Sequence, residues 1–308
     1  MQILGLIKVR STINCIALNE KNVPRGVFSC IIQEKALPLQ RNSATMKHIL
    51  YIAAAFLTAG LLNGCKPQHD TPVHAGTVVR DTINGTPCCV YLPDKVPSNQ
   101  VPSTKYPVLY LQHGMYGNED DWTTQGRLVE IMDSLLQAGE VKEMVVIMPD
   151  NCPSRPTSDE EKANAMTGEW EKQFPLFMAE AEAKYPISHE PSRRAIAGLS
   201  MGGFHTMHVT HHLHGQFAYV GLFSAAILPL DSNPIYDHWE EEVKEQMKTT
   251  RLYWIGIGRD DFLYDLNVEY RRWLEANHLE YTYYESAGGH TWDNWQDYLC
   301  RFLTKIFK

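Results

Sequence analysis

The 308-residue sequence predicts an α/β fold, a mostly parallel eight-stranded sheet with helices on both faces. Three observations lead there. Short apolar runs recur ahead of helix-capable segments, most clearly from Met144 to Asp150 and from Tyr219 to Ser224, as expected of strands covered on both sides. The apolar run Ala195-Ile196-Ala197 leads into Gly198-Leu199-Ser200-Met201-Gly202-Gly203 and then a helix-capable stretch from Phe204 to His211. Later strands end in carboxylates and in a histidine on a Gly-rich loop, where a sheet of this type presents its chemistry.

Taken in order, Thr77 to Ile83 and Cys88 to Leu92 are expected to pair as an antiparallel hairpin at the sheet edge. Tyr106 to Gln112 is a strand, followed by His113-Gly114-Met115-Tyr116-Gly117. After the Met144 to Asp150 strand, Asn151 to Glu171 carries Pro153, Pro156 and many charges and is expected to form a loop over the site. Phe174 to Tyr185 is then a helix, with Pro175 expected in its first turn, where a missing N–H does least harm. Arg251 to Gly258 is a buried strand ending in Arg259-Asp260-Asp261-Phe262. Glu280 to Glu285 is the last strand, followed by Ser286-Ala287-Gly288-Gly289-His290-Thr291-Trp292.

A Gly-x-Ser-x-Gly turn between strand and helix is the nucleophile elbow of α/β-hydrolases, which lifts one serine hydroxyl above the sheet. Such a turn can also be a packing device, because small residues permit close approach. The order of the remaining residues decides for chemistry: Ser200, then the carboxylates Asp260 and Asp261, then His290, each just past a strand. A serine hydroxyl is a poor nucleophile until a base removes its proton, the role expected of His290. An aspartate would hold that imidazole in the right tautomer. Two backbone N–H groups must face the developing oxyanion, and they are placed at Met201, after the nucleophile, and at Met115, on the loop after the Tyr106 to Gln112 strand.

The segments from His113 to Trp122, Gly198 to Phe204, Gly258 to Leu263 and Gly288 to Trp292 together resemble the esterase D family, over roughly Thr77 to Phe307. That group includes feruloyl esterases, acetyl xylan esterases, S-formylglutathione hydrolase, siderophore esterases and mycolyltransferases. The resemblance implies an α/β-hydrolase fold without a cofactor. Its Gly-x-x-Asp motif, followed by an apolar residue, maps the acid onto Asp261 and leaves Asp260 as its neighbour. The implied activity is that of a serine carboxylesterase, acting on feruloyl or acetyl esters of a plant polysaccharide such as xylan. A siderophore or other small ester or thioester hydrolase is the alternative, and a non-catalytic glycan-binding lipoprotein is an alternative of another class. Tyr116, Trp122, Phe262 and Trp292 flank the expected site, where large rings could stack on a sugar or phenolic group, or else cap the core as Trp295 would.

The N-terminal part reads differently. Residues 1–45 show no sustained period and are expected to be an upstream extension from a misassigned start. Met46-Lys47-His48 and the apolar run from Ile49 to Leu62 resemble a signal peptide over residues 46–64. Leu62-Asn63-Gly64-Cys65 resembles a bacterial lipobox, with Cys65 as the lipidated residue, 65–76 as a linker and 77–308 as the esterase domain. This implies an exported, membrane-anchored lipoprotein in the periplasm or on the outer membrane.

Residues 1–64 hold seven Lys or Arg and two Asp or Glu, which leaves 21 basic against 34 acidic side chains in the remainder. So acidic a chain opposes nucleic-acid binding, which needs a basic face. Cys88, Cys89, Cys152 and Cys300 show no zinc-type spacing, and their pairing, if any, stays open. His205, His208 and His212 share one helical face, but a helix behind the elbow packs on the sheet, so no metal is expected there.

Overall fold

The computed structural model describes residues 76–93, 105–152, 166, 168–227 and 238–308. The expected upstream extension, signal peptide, lipidated Cys65 and all but the last residue of the linker lie outside them, as does most of the loop expected over 151–171.

Eight strands form one sheet: β1 (Thr77–Ile83), β2 (Thr86–Leu92), β3 (Val108–Gln112), β4 (Val145–Pro149), β5 (Arg194–Leu199), β6 (Tyr219–Phe223), β7 (Leu252–Gly258) and β8 (Thr282–Ser286), in the order β1-β2-β4-β3-β5-β6-β7-β8. β1 and β2 pair antiparallel, β2 runs antiparallel to β4, and every other pair is parallel. Asn84 and Gly85 both have positive φ, 47° and 75°, and close the β1–β2 hairpin. This two-residue geometry matches the twist of an antiparallel pair.

Every residue of β3, β4, β5 and β6 is buried, because helices cover both faces. The helices are α1 (Asp121–Thr124), α2 (Leu128–Gln137), α3 (Glu169–Lys184), α4 (Met201–His212), α5 (Trp239–Met247), α6 (Tyr264–Ala276) and α7 (Trp292–Leu303). Along β3 the side chains alternate, as the pleat requires. Val108 and Tyr110 join a core with Phe174 and Phe177 of α3 and Met207 of α4, whereas Leu109 and Leu111 join a second core with Met132 of α2 and Phe302 of α7.

The helix expected from Phe174 begins five residues earlier, so Pro175 stands in its interior rather than its first turn, and Glu169 to Glu171 belong to the helix rather than to a loop. Packing explains the difference. The Trp170 ring meets Phe174 and Phe177 at 5.6 and 5.5 Å, and its Nε1 donates to Gln112 Oε1 at 2.6 Å. These contacts of the first two turns outweigh the backbone bond that Pro175 cannot make to the Glu171 carbonyl.

One close approach positions the site. A Cβ on Gly202 would run into the carbonyl groups of Gln112 and His113, and one on Gly198 would meet the Gly202 carbonyl. The two glycines of the elbow thus let α4 sit directly against the ends of β3 and β5. Gly202→Ala should lower stability by about 1–3 kcal/mol, the range for overpacking a filled core. Chemical denaturation checks this, and a variant as stable as the parent would contradict the close approach.

Candidate active site

In a parallel sheet with helices on both faces, side chains just beyond the carboxyl ends of the strands converge on one edge. Ser200 follows β5, Asp261 follows β7 and His290 follows β8, so the topology brings all three to that edge. Ser200 has φ 54° and ψ −119°, a backbone conformation sparsely populated by residues other than glycine. Four hydrogen bonds hold it there. Its N–H donates to Phe223 O at 2.9 Å, and its carbonyl accepts from Ala226, Gly203 and Phe204 at 2.9, 3.0 and 3.1 Å. The end of β6 and the first turn of α4 therefore impose the turn that strain alone would relax.

His290 Nδ1 lies 2.9 and 3.0 Å from the two carboxylate oxygens of Asp261. Asp261 is buried at 4% exposure, while Asp260 is exposed and its N–H donates to Gly288 O at 2.9 Å. It is Asp261, and not its neighbour, that faces the imidazole. Asn294 Nδ2 donates to Gly289 O at 2.7 Å, so the acid loop and α7 together fix the Gly-rich loop that carries His290. Burial pushes the Asp261 carboxyl up, but hydrogen bonds from His290 and from the Leu263 amide outweigh it and hold the group below its ordinary value of 3.8.

The loop after β3 is shaped by groups whose roles the motifs did not reveal. His113 is buried, and the Asn151 N–H donates to its Nε2 at 3.2 Å. Its Nδ1 then carries the proton and donates to Gly114 O at 2.7 Å. Asn151 Nδ2 donates to His113 O at 3.2 Å, Trp122 Nε1 to Gln112 O at 3.0 Å, and Gln112 Nε2 to Thr206 Oγ1 at 3.2 Å. Among the described residues, the amides of Met115 and Met201 donate no hydrogen bond, which leaves both donors available at the strand ends. A polar Gln112 and an Asp150-Asn151 pair closing two otherwise apolar strands were the visible signs of this network.

The four aromatic rings expected to touch substrate divide. Tyr116 and Phe262 are 60% and 74% exposed, and Phe262 lies 4.5 Å from the His290 ring. Trp292 is half-buried, edge-on to Trp122 and Trp295 at 5.3 and 5.2 Å. Trp122 departs from expectation. At 1% exposure, with its N–H committed to Gln112, it is a core ring and offers no face for stacking.

Of the histidines on α4, His205 bonds Glu171 Oε1 at 2.6 Å through Nδ1, and both side chains are fully buried. Burial lowers the pKa of His208 and of His211, the latter to about 3, so both are neutral core residues. Among the described residues no three His, Cys, Asp or Glu side chains are grouped to hold a metal ion. Cys88, Cys89 and Cys300 are free thiols. The pleat of β2 sends Cys88 and Cys89 to opposite cores, and burial pushes both thiols up to about 12.

The lowered Asp261 carboxyl has a thermodynamic consequence. A carboxylate with a folded-state pKa below its unfolded value contributes stability above the unfolded value and loses it as pH falls through the folded one. The stability difference between the parent and Asp261→Asn should therefore shrink as pH falls below the ordinary carboxylate range near 3.9. Urea denaturation at several pH values checks this. A gap that does not shrink between about pH 5 and about pH 2 would contradict the lowered Asp261 carboxyl.

Comparisons with known proteins agree with the fold. An acetyl esterase of Caldicellulosiruptor saccharolyticus is 25% identical over 242 residues, covering 67% of this chain and 85% of that protein. An endo-1,4-beta-xylanase/feruloyl esterase of Xylanibacter ruminicola is 26% identical over 209 residues, covering 66% of this chain but 27% of that longer protein. Among solved structures, a ferulic acid esterase superposes with a TM-score of 0.62 at 25% identity, covering 75% of this chain and 97% of that one. The ferulic acid esterase of Anaeromyces mucronatus, at 22% identity and a TM-score of 0.62 over 77% of this chain and 93% of its own, shares the fold. The sequence profile of the Esterase family matches residues 84–306, and the chain belongs to that family of ester hydrolases with the α/β-hydrolase fold.

Proposed function

We propose that the protein is a serine carboxylesterase that removes acetyl or feruloyl groups from a plant polysaccharide such as xylan. The observation that carries the mechanism is the Asp261–His290 pair at 2.9 Å on the same sheet edge as the strained Ser200 turn. Asp261 keeps the Nδ1 proton of His290 in place, so Nε2 is the basic nitrogen. It takes the Ser200 proton as Oγ attacks the ester carbonyl, and the amides of Met115 and Met201 stabilise the oxyanion. The protonated imidazole then gives its proton to the leaving alcohol oxygen, which frees the sugar and leaves an acyl-serine. Water, deprotonated by His290, attacks that ester, and the carboxylic acid departs with Ser200 reprotonated.

The substrate class is supported by the names of the relatives, an acetyl esterase and a xylanase joined to a feruloyl esterase. It is supported too by the two exposed rings, Tyr116 and Phe262, beside the site. A ring of this kind takes an aromatic acyl group or a sugar face, and an aromatic contact contributes about 0.5–1.5 kcal/mol beyond area burial. Phe262→Ala should therefore lower kcat/KM on feruloylated xylo-oligosaccharides about two- to tenfold and leave nitrophenyl acetate hydrolysis nearly unchanged. Equal losses on both would mean that Phe262 serves His290 and not the substrate. A purified protein that cleaves small thioesters in preference to acetyl or feruloyl esters would overturn the substrate class, and one inert to all of them would favour a glycan-binding role.

We also propose that the protein is an exported lipoprotein anchored through Cys65, on the strength of the Leu62-Asn63-Gly64-Cys65 pattern after an apolar run. In a bacterial host the parent should be cleaved before Cys65 and partition with membranes. Cys65→Ser should accumulate as precursor. A membrane-free protein that retains Met1, seen by N-terminal mass spectrometry, would contradict the anchor.

A further inference from the structure

At the opposite edge of the sheet, beyond the amino ends of the parallel strands, lies a cavity of about 270 Å³. Pro107 precedes β3 there, Lys142 precedes β4, Arg193 precedes β5 and Arg251 precedes β7, while Tyr219 opens β6 and Phe307 and Lys308 follow α7. Four cationic side chains, Lys142, Arg193, Arg251 and Lys308, thus share one wall, and Glu190 is the single carboxylate side chain in it. This is the reverse of the chain as a whole, which has 36 acidic residues against 28 basic ones.

Several arginines elsewhere in the described residues are held in ion pairs, as the cavity cations are not. Arg194 pairs with Glu182, Arg80 with Glu119 and Asp120, and Arg301 with Asp297. Among the described residues, no carboxylate forms an ion pair with any of the four cavity cations. Two of them are oriented by neutral acceptors instead: Arg193 Nη2 donates to Lys105 O at 2.6 Å, and Lys308 Nζ donates to Glu140 O at 2.7 Å. A backbone carbonyl directs a side chain without cancelling its charge. Concave walls of one sign focus potential and concentrate counter-ions, and paired guanidinium groups match tetrahedral oxyanions with parallel hydrogen bonds.

We propose that this cavity binds a phosphate group, at a site distinct from the ester-cleaving edge. Its size fits a phosphorylated small molecule or one lipid headgroup, and either source presents the same oxyanion to Lys142, Arg193 and Arg251. The headgroup is the source favoured by the connectivity. Thr77 pairs with Leu92, and Tyr91 pairs with Val146 at the start of β4, so the chain enters the sheet at this edge. On the anchor reading proposed above, Cys65 lies twelve residues before Thr77, so the chain leads from the lipidated residue into this edge of the sheet.

The test uses the full chain carrying Cys65→Ser, so that no acyl chain contributes. Inorganic phosphate should raise its Tm in a saturable way, where chloride at equal ionic strength does not. Lys142→Glu with Arg251→Glu should weaken phosphate binding at least about tenfold, since two charge-assisted donors are replaced by repulsion, while ester hydrolysis is unchanged. The milder Arg251→Gln variant reports the same loss in smaller measure if the double variant fails to fold. Vesicles of phosphatidylcholine with phosphatidylglycerol should retain the Cys65→Ser chain and release it on charge reversal, which identifies the headgroup as the source. Phosphate binding without vesicle binding identifies a soluble phosphate compound. No phosphate-specific shift in the parent, or an equal shift in the charge-reversed variant, would overturn the site, and neither result bears on the anchor.

Discussion

The rest of the site depends on one constrained residue. Ser200 keeps a backbone conformation that costs of order 1–3 kcal/mol, and it does so because its N–H and carbonyl are both taken by the neighbouring strand end and helix turn. The acceptor on one side is Phe223 at the end of β6, and the donor on the other is Ala226 just beyond it. Moving β6 would free the turn. Glycine at 198 and 202 is the other half of the constraint, since only there can α4 approach the carbonyls of β3 and its loop closely enough. Strand order, helix packing and the position of one hydroxyl are therefore a single problem with a single solution.

Much of this was legible in the sequence, for definite reasons. Strands β3 to β6 were readable because parallel strands covered on both faces must be short apolar runs, and the order of Ser200, Asp261 and His290 followed from where the strands end. The Asp260-Asp261 pair could be resolved through the family motif, and burial shows why it matters: the pleat and turn leave Asp260 in solvent and put Asp261 against His290. Where the reading failed, long-range packing had overridden local preference. Pro175 suggested a helix start, yet Trp170 reaches Gln112 and draws the helix five residues back. Trp122 sits in a motif beside the site, but whether a tryptophan faces solvent or core is set by its neighbours, and here Phe223, Trp292 and Gln112 enclose it. The His113–Asn151 contact joins residues 38 apart, so the polar residues at the two strand ends signalled a network without showing which atoms meet.

The two edges of the sheet divide the work. The carboxyl edge carries the strained serine, the imidazole with its buried acid, and two exposed rings, and its polar groups are tied into networks that leave little freedom. The amino edge carries cations that the fold does not neutralise. Because the strands between them are fully buried and rigid, a ligand at one edge and a substrate at the other meet separate surfaces.

The central claim is that Ser200 is the nucleophile of this fold. A fluorophosphonate probe forms a stable phosphonyl ester with an activated serine, and its mass on a proteolytic peptide reports the site directly. The account predicts one adduct, on the peptide containing Ser200, absent in Ser200→Ala although that variant unfolds at a temperature close to the parent's. An adduct on another serine, or ester hydrolysis that survives Ser200→Ala, would contradict it.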